Sequence, residues 1–97
     1  MHIRVTPGQV QPGKLGEMVA IMRDIFAAYG QAGGFRGGYV AGDDGSGQGL
    51  VVTLWDDETA ARAAVEAARP ILARLASVTA SGETPTPAPA YEVLLQV

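Results

Sequence analysis

The sequence predicts one α+β domain in the order strand–helix–strand–strand–helix–strand, a four-stranded antiparallel sheet with two helices on one face. Three observations predict it. Apolar residues recur at helical spacing over Leu15–Tyr29. Two apolar strand-like runs flank a glycine-rich turn at 43–49. Helical spacing then returns, followed by a proline-rich connector and a final alternating run. The 97 residues suit a single domain, 1–97.

Met1 to Val10 mixes Ile3, Val5 and Val10 with polar neighbours and reads as the first strand. Pro7 and Gly8 inside it imply an edge position, a bulge or an early end. Pro12-Gly13 punctuates the chain before a helix. Leu15, Met18, Val19, Met22, Ile25, Phe26 and Tyr29 follow at spacings of 3, 1, 3, 3, 1 and 3, one apolar stripe on a helix. Gly30 is placed to end that helix, and Gly33-Gly34 to carry the turn.

Phe35 to Ala41 reads as the second strand, with Phe35 and Tyr39 on one face and Arg36 and Val40 on the other. Gly37 and Gly38 leave it bare enough for something to approach its backbone closely. Asp43 to Gly49 is a turn by composition. Leu50 to Trp55 is nearly continuously apolar, as in a central strand buried on both faces. Asp56 is the expected N-cap of the second helix, with Asp57 and Glu58 at its positive end. Thr59 to Ala68 is alanine-rich, and Pro70 predicts a kink or break. Ile71, Leu72, Leu75 and Val78 continue a second amphipathic piece. Gly82 to Pro89 is an extended connector. Tyr91 to Val97 alternates as a last strand, apolar enough to need cover on both faces.

This βαββαβ order is the ferredoxin-like arrangement. Because the strands want burial on both faces, the helix-free sheet face is expected to dock a second copy, making a homodimer. Net charge is −3 with seven Lys and Arg, which argues against a nucleic-acid partner. No apolar stretch approaches the roughly 18–20 residues of a membrane span. No secretory signal is visible, so a cytoplasmic location is expected. There is no cysteine and only one histidine, His2, so no metal site is expected. The acidic pairs Asp43-Asp44 and Asp56-Asp57 are explained by turn and capping chemistry. The glycine-rich turn lacks the Lys-Ser/Thr of a phosphate-binding loop.

Gly34-Phe35-Arg36-Gly37-Gly38-Tyr39, then Gly49-Leu50-Val51-Val52-Thr53-Leu54-Trp55-Asp56-Asp57-Glu58-Thr59-Ala60-Ala61 after the turn, resembles the antibiotic biosynthesis monooxygenase domain family. Val10-Gln11-Pro12-Gly13-Lys14-Leu15 and Tyr91-Glu92-Val93 are similar to its members too. The resemblance implies the dimeric α+β barrel fold. It also implies one of several activities: cofactor-independent oxygenation of polyketide-type phenols and quinols, haem degradation, or small-quinol oxygenation. Haem degraders carry a Trp and a His on the second helix and an Asn in the first strand. This chain has Ala63, Ala64, Ala67 and Ala68 on that helix and no Asn in that strand, so haem degradation is not expected. Trp55 belongs instead to the strand-end motif.

Oxygenation without metal or flavin requires a bound electron-rich phenol or enol, help with its proton, and exclusion of water. His2 is the candidate catalytic base, since its ordinary pKa lies near neutrality. Arg4, two residues along the same strand face, is a candidate for pairing an anionic substrate; its alternative is a structural ion pair or a snorkelling edge residue. Tyr39 and Trp55 are candidates for lining an aromatic substrate pocket, with core or dimer packing as their alternative. No cofactor is expected. Two functions follow: a cofactor-independent monooxygenase for a small aromatic or polyketide-like substrate, or a non-catalytic dimeric domain that binds a small hydrophobic metabolite or scaffolds a partner.

Overall fold

The computed structural model describes all 97 residues. β1 (His2–Gln9), α1 (Leu15–Ala32), β2 (Phe35–Gly42), β3 (Gln48–Trp55), α2 (Glu58–Leu72), a 3-10 turn (Ala73–Ser77) and β4 (Tyr91–Glu92) follow in that order. The strands form one antiparallel sheet in the spatial order β2-β3-β1-β4. β3 is central, as its continuous apolar run predicts. The fold is ferredoxin-like, with α1 and α2 packed together over the sheet face that carries Arg4, Thr53 and Trp55.

Met18, Ile21, Met22, Ile25 and Tyr29 form the buried stripe of α1, each large apolar side chain contributing roughly 1.5–3 kcal/mol by leaving water. Val19 lies at the margin of that stripe and is exposed, while Ile21 takes the position opposite it. α2 buries Ala61, Ala64 and Ala68, small residues that let the two helices approach closely.

Several expected boundaries move. α1 runs through Gly30 to Ala32, because the left-handed residues that reverse the chain are Gly33 (φ 88°) and Gly34 (φ 77°). At Gly34 a Cβ would lie 2.5 Å from the Ala60 Cβ, so glycine is required for the close approach as well. The N-cap of α2 is Asp57, whose Oδ1 accepts from the Ala60 N–H at 2.8 Å. Asp56 still belongs to the strand end: its N–H donates to the Gly34 carbonyl at 2.8 Å, and its carboxylate pairs with Arg36 at 3.5 Å. α2 passes through Pro70, and the expected break comes only after Leu72, as the 3-10 turn.

A bulge between Phe35 and Gly37 corrects the face assignment of β2. The extra residue, Arg36, turns Phe35 toward α1 and leaves Tyr39 on the opposite, helix-free face, 68% exposed. Gly38 is bare because the ring of Phe26 rests on it, 2.8 Å from where a Cβ would stand.

β4 spans only Tyr91–Glu92, paired to Ile3 and His2. The Val93 N–H donates to the Met1 carbonyl at 2.8 Å, the last hydrogen bond between the two strands. Leu94, Leu95 and Val97 are therefore exposed beyond the sheet. The same shortness leaves the β1 edge without a strand partner from Arg4 to Gly8, where Pro7 is tolerated, before the Gln9 carbonyl accepts from the Ala80 N–H at 2.9 Å.

Candidate functional site

β1, α1, β3 and the 3-10 region line a half-open cavity of about 90 Å³ between helices and sheet. Its walls are mainly apolar, with Met18, Met22, Val51, Leu72, Leu75 and Val78 among them. Pro85 and Pro87 of the connector line one side. Arg4, Tyr29 and Thr53 supply polar groups from three different elements, and Arg4 is the one charged residue of the lining.

Each of these polar side chains is placed by its local sequence. Arg4 and Thr53 are register partners on adjacent strands, so they reach the helix-covered face side by side. Tyr29 is the last member of the apolar stripe of α1 and is almost completely buried. Thr53 Oγ1 accepts from the Trp55 indole N–H at 2.9 Å, which satisfies a donor with no access to water.

Arg4 is only 8% exposed and has no carboxylate partner. Its Nε–H donates to the Ala88 carbonyl at 2.8 Å, one terminal nitrogen lies 3.5 Å from the Ala61 carbonyl, and the other has no partner. The guanidinium carbon sits 5.7 Å from the centroid of the Trp55 ring, a cation–π arrangement. Burial pushes the Arg4 pKa below its ordinary value, partly opposed by attraction to Tyr29. Burial pushes the Tyr29 phenol up, and Arg4 partly pulls it back. Both shifts come from desolvation of a charged form that the apolar walls do not replace.

Three of the four candidate residues of the sequence share the helix-covered face, and Tyr39 alone is on the other. His2 is the register partner of Trp55, and the Arg4 guanidinium lies over the Trp55 ring. Arg4 reaches the cavity. Trp55 is wholly buried in an aromatic cluster with Tyr29 and Phe35, at centroid distances of 5.0 and 5.1 Å, and stands outside the cavity lining. His2 also lies outside the lining, between Trp55 and Glu92 in register, with Nδ1 buried and unpartnered. Tyr39 is on the helix-free face.

Tyr29 and Thr53 are functional candidates that pattern reading absorbed into the core. The signal was present: Tyr29 is the one member of its stripe with a hydroxyl, and Thr53 the one polar residue between Leu50 and Trp55. No His, Cys, Asp or Glu cluster of metal-binding size forms. A haem does not fit this site. The cavity lining contains no histidine or cysteine to ligate the iron.

No helix is long and apolar enough to cross a membrane. No protein-family model matches the chain, and no curated protein does. Solved structures do. A protein of unknown function from Nitrosomonas europaea, NE2512, superposes with a TM-score of 0.72 at 15% identity, covering 99% of this chain and 91% of that one. A putative antibiotic biosynthesis monooxygenase from Chloroflexus aurantiacus gives 0.70 at 14% identity, with coverages of 99% and 93%. A variant of MhuD with two manganese protoporphyrin IX molecules per active site gives 0.64 at 22% identity, with coverages of 100% and 98%. At these identities the likeness establishes a shared fold over the full chain.

Proposed function

We propose that this chain is a cofactor-independent oxygenase of the antibiotic biosynthesis monooxygenase type, acting on a small phenol or quinol. The observation that carries the proposal is the buried Arg4 cation beside the Tyr29 hydroxyl in an otherwise apolar cavity. The Arg4 cation offsets part of the cost that burial adds to ionising a phenol bound there, as it does for Tyr29. Tyr29 is placed to orient the phenolate oxygen. The apolar walls keep water from the oxidised ring.

For a phenol with a para hydrogen the overall step is phenol plus O₂ giving a para-quinone plus water. A quinol, already oxygenated there, takes the new oxygen at a ring C–H beside a hydroxyl and gives a hydroxyquinone plus water. With the phenol, one oxygen atom forms the new C–O bond at the para carbon. The other leaves as water with the para hydrogen and the phenolic proton. The ring supplies four electrons and O₂ accepts them, so no further reductant is needed.

Oxygen uptake with a panel of quinols and dihydroxynaphthalenes tests this. The wild type is expected to exceed the uncatalysed rate, with Arg4→Gln and Tyr29→Phe slower. Rates equal to buffer across the panel would sink the oxygenase reading for this substrate class. The absence of a carboxylate or histidine from the lining favours the second reading, a metabolite-binding domain without catalysis. Ligand binding without turnover would support it.

The proposed assembly is a homodimer through the helix-free sheet face. Ile3, Val5, Leu50, Val52, Leu54 and Tyr39 share that face, and Val5, Leu50 and Tyr39 are exposed. The apolar tail of Leu94, Leu95 and Val97 adds surface a partner would cover.

A further inference from the structure

We propose that the cavity selects ligands carrying a carboxylate, and that Arg4 holds this group in exchange for the Ala88 carbonyl of the connector. The proposal rests on reading the cavity as a ligand site, and does not require that the ligand be oxidised.

A guanidinium presents five N–H donors in a planar fork. At Arg4 these meet two neutral backbone carbonyls, one of them at a long 3.5 Å, and one terminal nitrogen is buried with no acceptor. A cation removed from water is stable only when its charge and its donors are met. Here neither is complete: no Asp or Glu lies within ion-pair distance, and the cavity lining holds no anion. A carboxylate supplies both the missing charge and two acceptors in the geometry of the fork.

The chain also provides a route for the exchange. Ala88 lies in the connector between the 3-10 turn and β4, which has no regular secondary structure around it. Pro85 and Pro87 of the same segment line the cavity. A ligand oxygen that takes the place of the Ala88 carbonyl therefore moves a segment that lines the cavity. The apolar walls then receive the rest of the ligand, so a single ring bearing one carboxylate matches the chemistry of the space.

Benzoate and its neutral isostere benzamide test the inference by titration calorimetry, with backbone amide shifts followed by NMR. Wild type is expected to bind benzoate at least about tenfold more tightly than benzamide. The largest shifts are expected in residues 85–90 and Arg4. Arg4→Lys is expected to weaken benzoate binding and Arg4→Gln to remove the preference. Equal affinity for the two probes, no benzoate binding at millimolar concentration, or shifts confined to other surfaces would each overturn it. The comparison on wild type stands even where a variant fails to fold. Because no turnover is measured, a carboxylate preference with no oxygen uptake would remove only the oxygenase reading. Turnover of neutral quinols without such a preference would remove only this one.

Discussion

The indole N–H of Trp55 donates to Thr53 Oγ1 at 2.9 Å, within one strand and wholly inside the core. Two residues apart on β3, the pair points to the same face, and the hydroxyl is the indole's partner. Replacing Thr53 by Val strands that donor away from water, a cost of about 1–3 kcal/mol. Thr53→Ser should recover most of it. Combining Thr53→Val with Trp55→Phe should cost less than the sum of the two changes, because the stranded donor is gone. Urea unfolding of the four proteins measures the cycle.

The turn between α1 and β2 yields a contrast of two glycines. Gly34→Ala meets both a positive φ of 77° and the Ala60 Cβ, so a loss of roughly 1–3 kcal/mol is expected. Gly30 is inside α1 with nothing within 4 Å of its would-be Cβ. Gly30→Ala should therefore stabilise the protein by about 0.5–1 kcal/mol. Thermal unfolding distinguishes the two, and a destabilised Gly30→Ala would contradict the extent of α1.

Much of the fold is legible in the sequence, for identifiable reasons. The 3-and-4 recurrence from Met18 to Tyr29 has no strand alternative, and the Leu50–Trp55 run predicts the central strand it becomes. The features that escape are those set by distant partners. The bulge at Arg36 reverses the face of Tyr39, and no local pattern marks it. The last strand pairs with β1 only over Tyr91–Glu92, although its own alternation continues to Val97. At the site, Arg4 is legible as the one cation of the first strand. Tyr29 and Thr53 are concealed by the apolar company they keep, since a core tyrosine and a pocket tyrosine have the same periodicity.

Tyr29 makes stability depend on alkaline pH. Its folded pKa is raised above the ordinary 10.0 by burial. The folded state therefore holds the phenolic proton more tightly than the unfolded chain. That contribution is fully present below pH 10 and is lost as pH rises through the raised folded value. Tyr29→Phe should lack this component of the decline, measurable as unfolding midpoints across the alkaline range. An identical decline in the variant would show that Tyr29 is not its source.

The open sheet face predicts association. Sedimentation at micromolar concentration should show a species of twice the 10.0 kDa chain mass. Val5→Lys places a charge on the helix-free face, where Val5 is 44% exposed, and should shift the equilibrium toward monomer. A wild type that sediments only at 10.0 kDa would refute the dimer.

The oxygenase reading is tested most directly by the fate of isotopically labelled O₂. With a phenol that the wild type consumes, one labelled atom should appear in the quinone and the other in water, with one O₂ used per ring oxidised. Tyr29→Phe and Arg4→Gln should slow the reaction without changing that distribution. Oxygen consumption that yields peroxide and unlabelled product, or no consumption above buffer, would contradict the account.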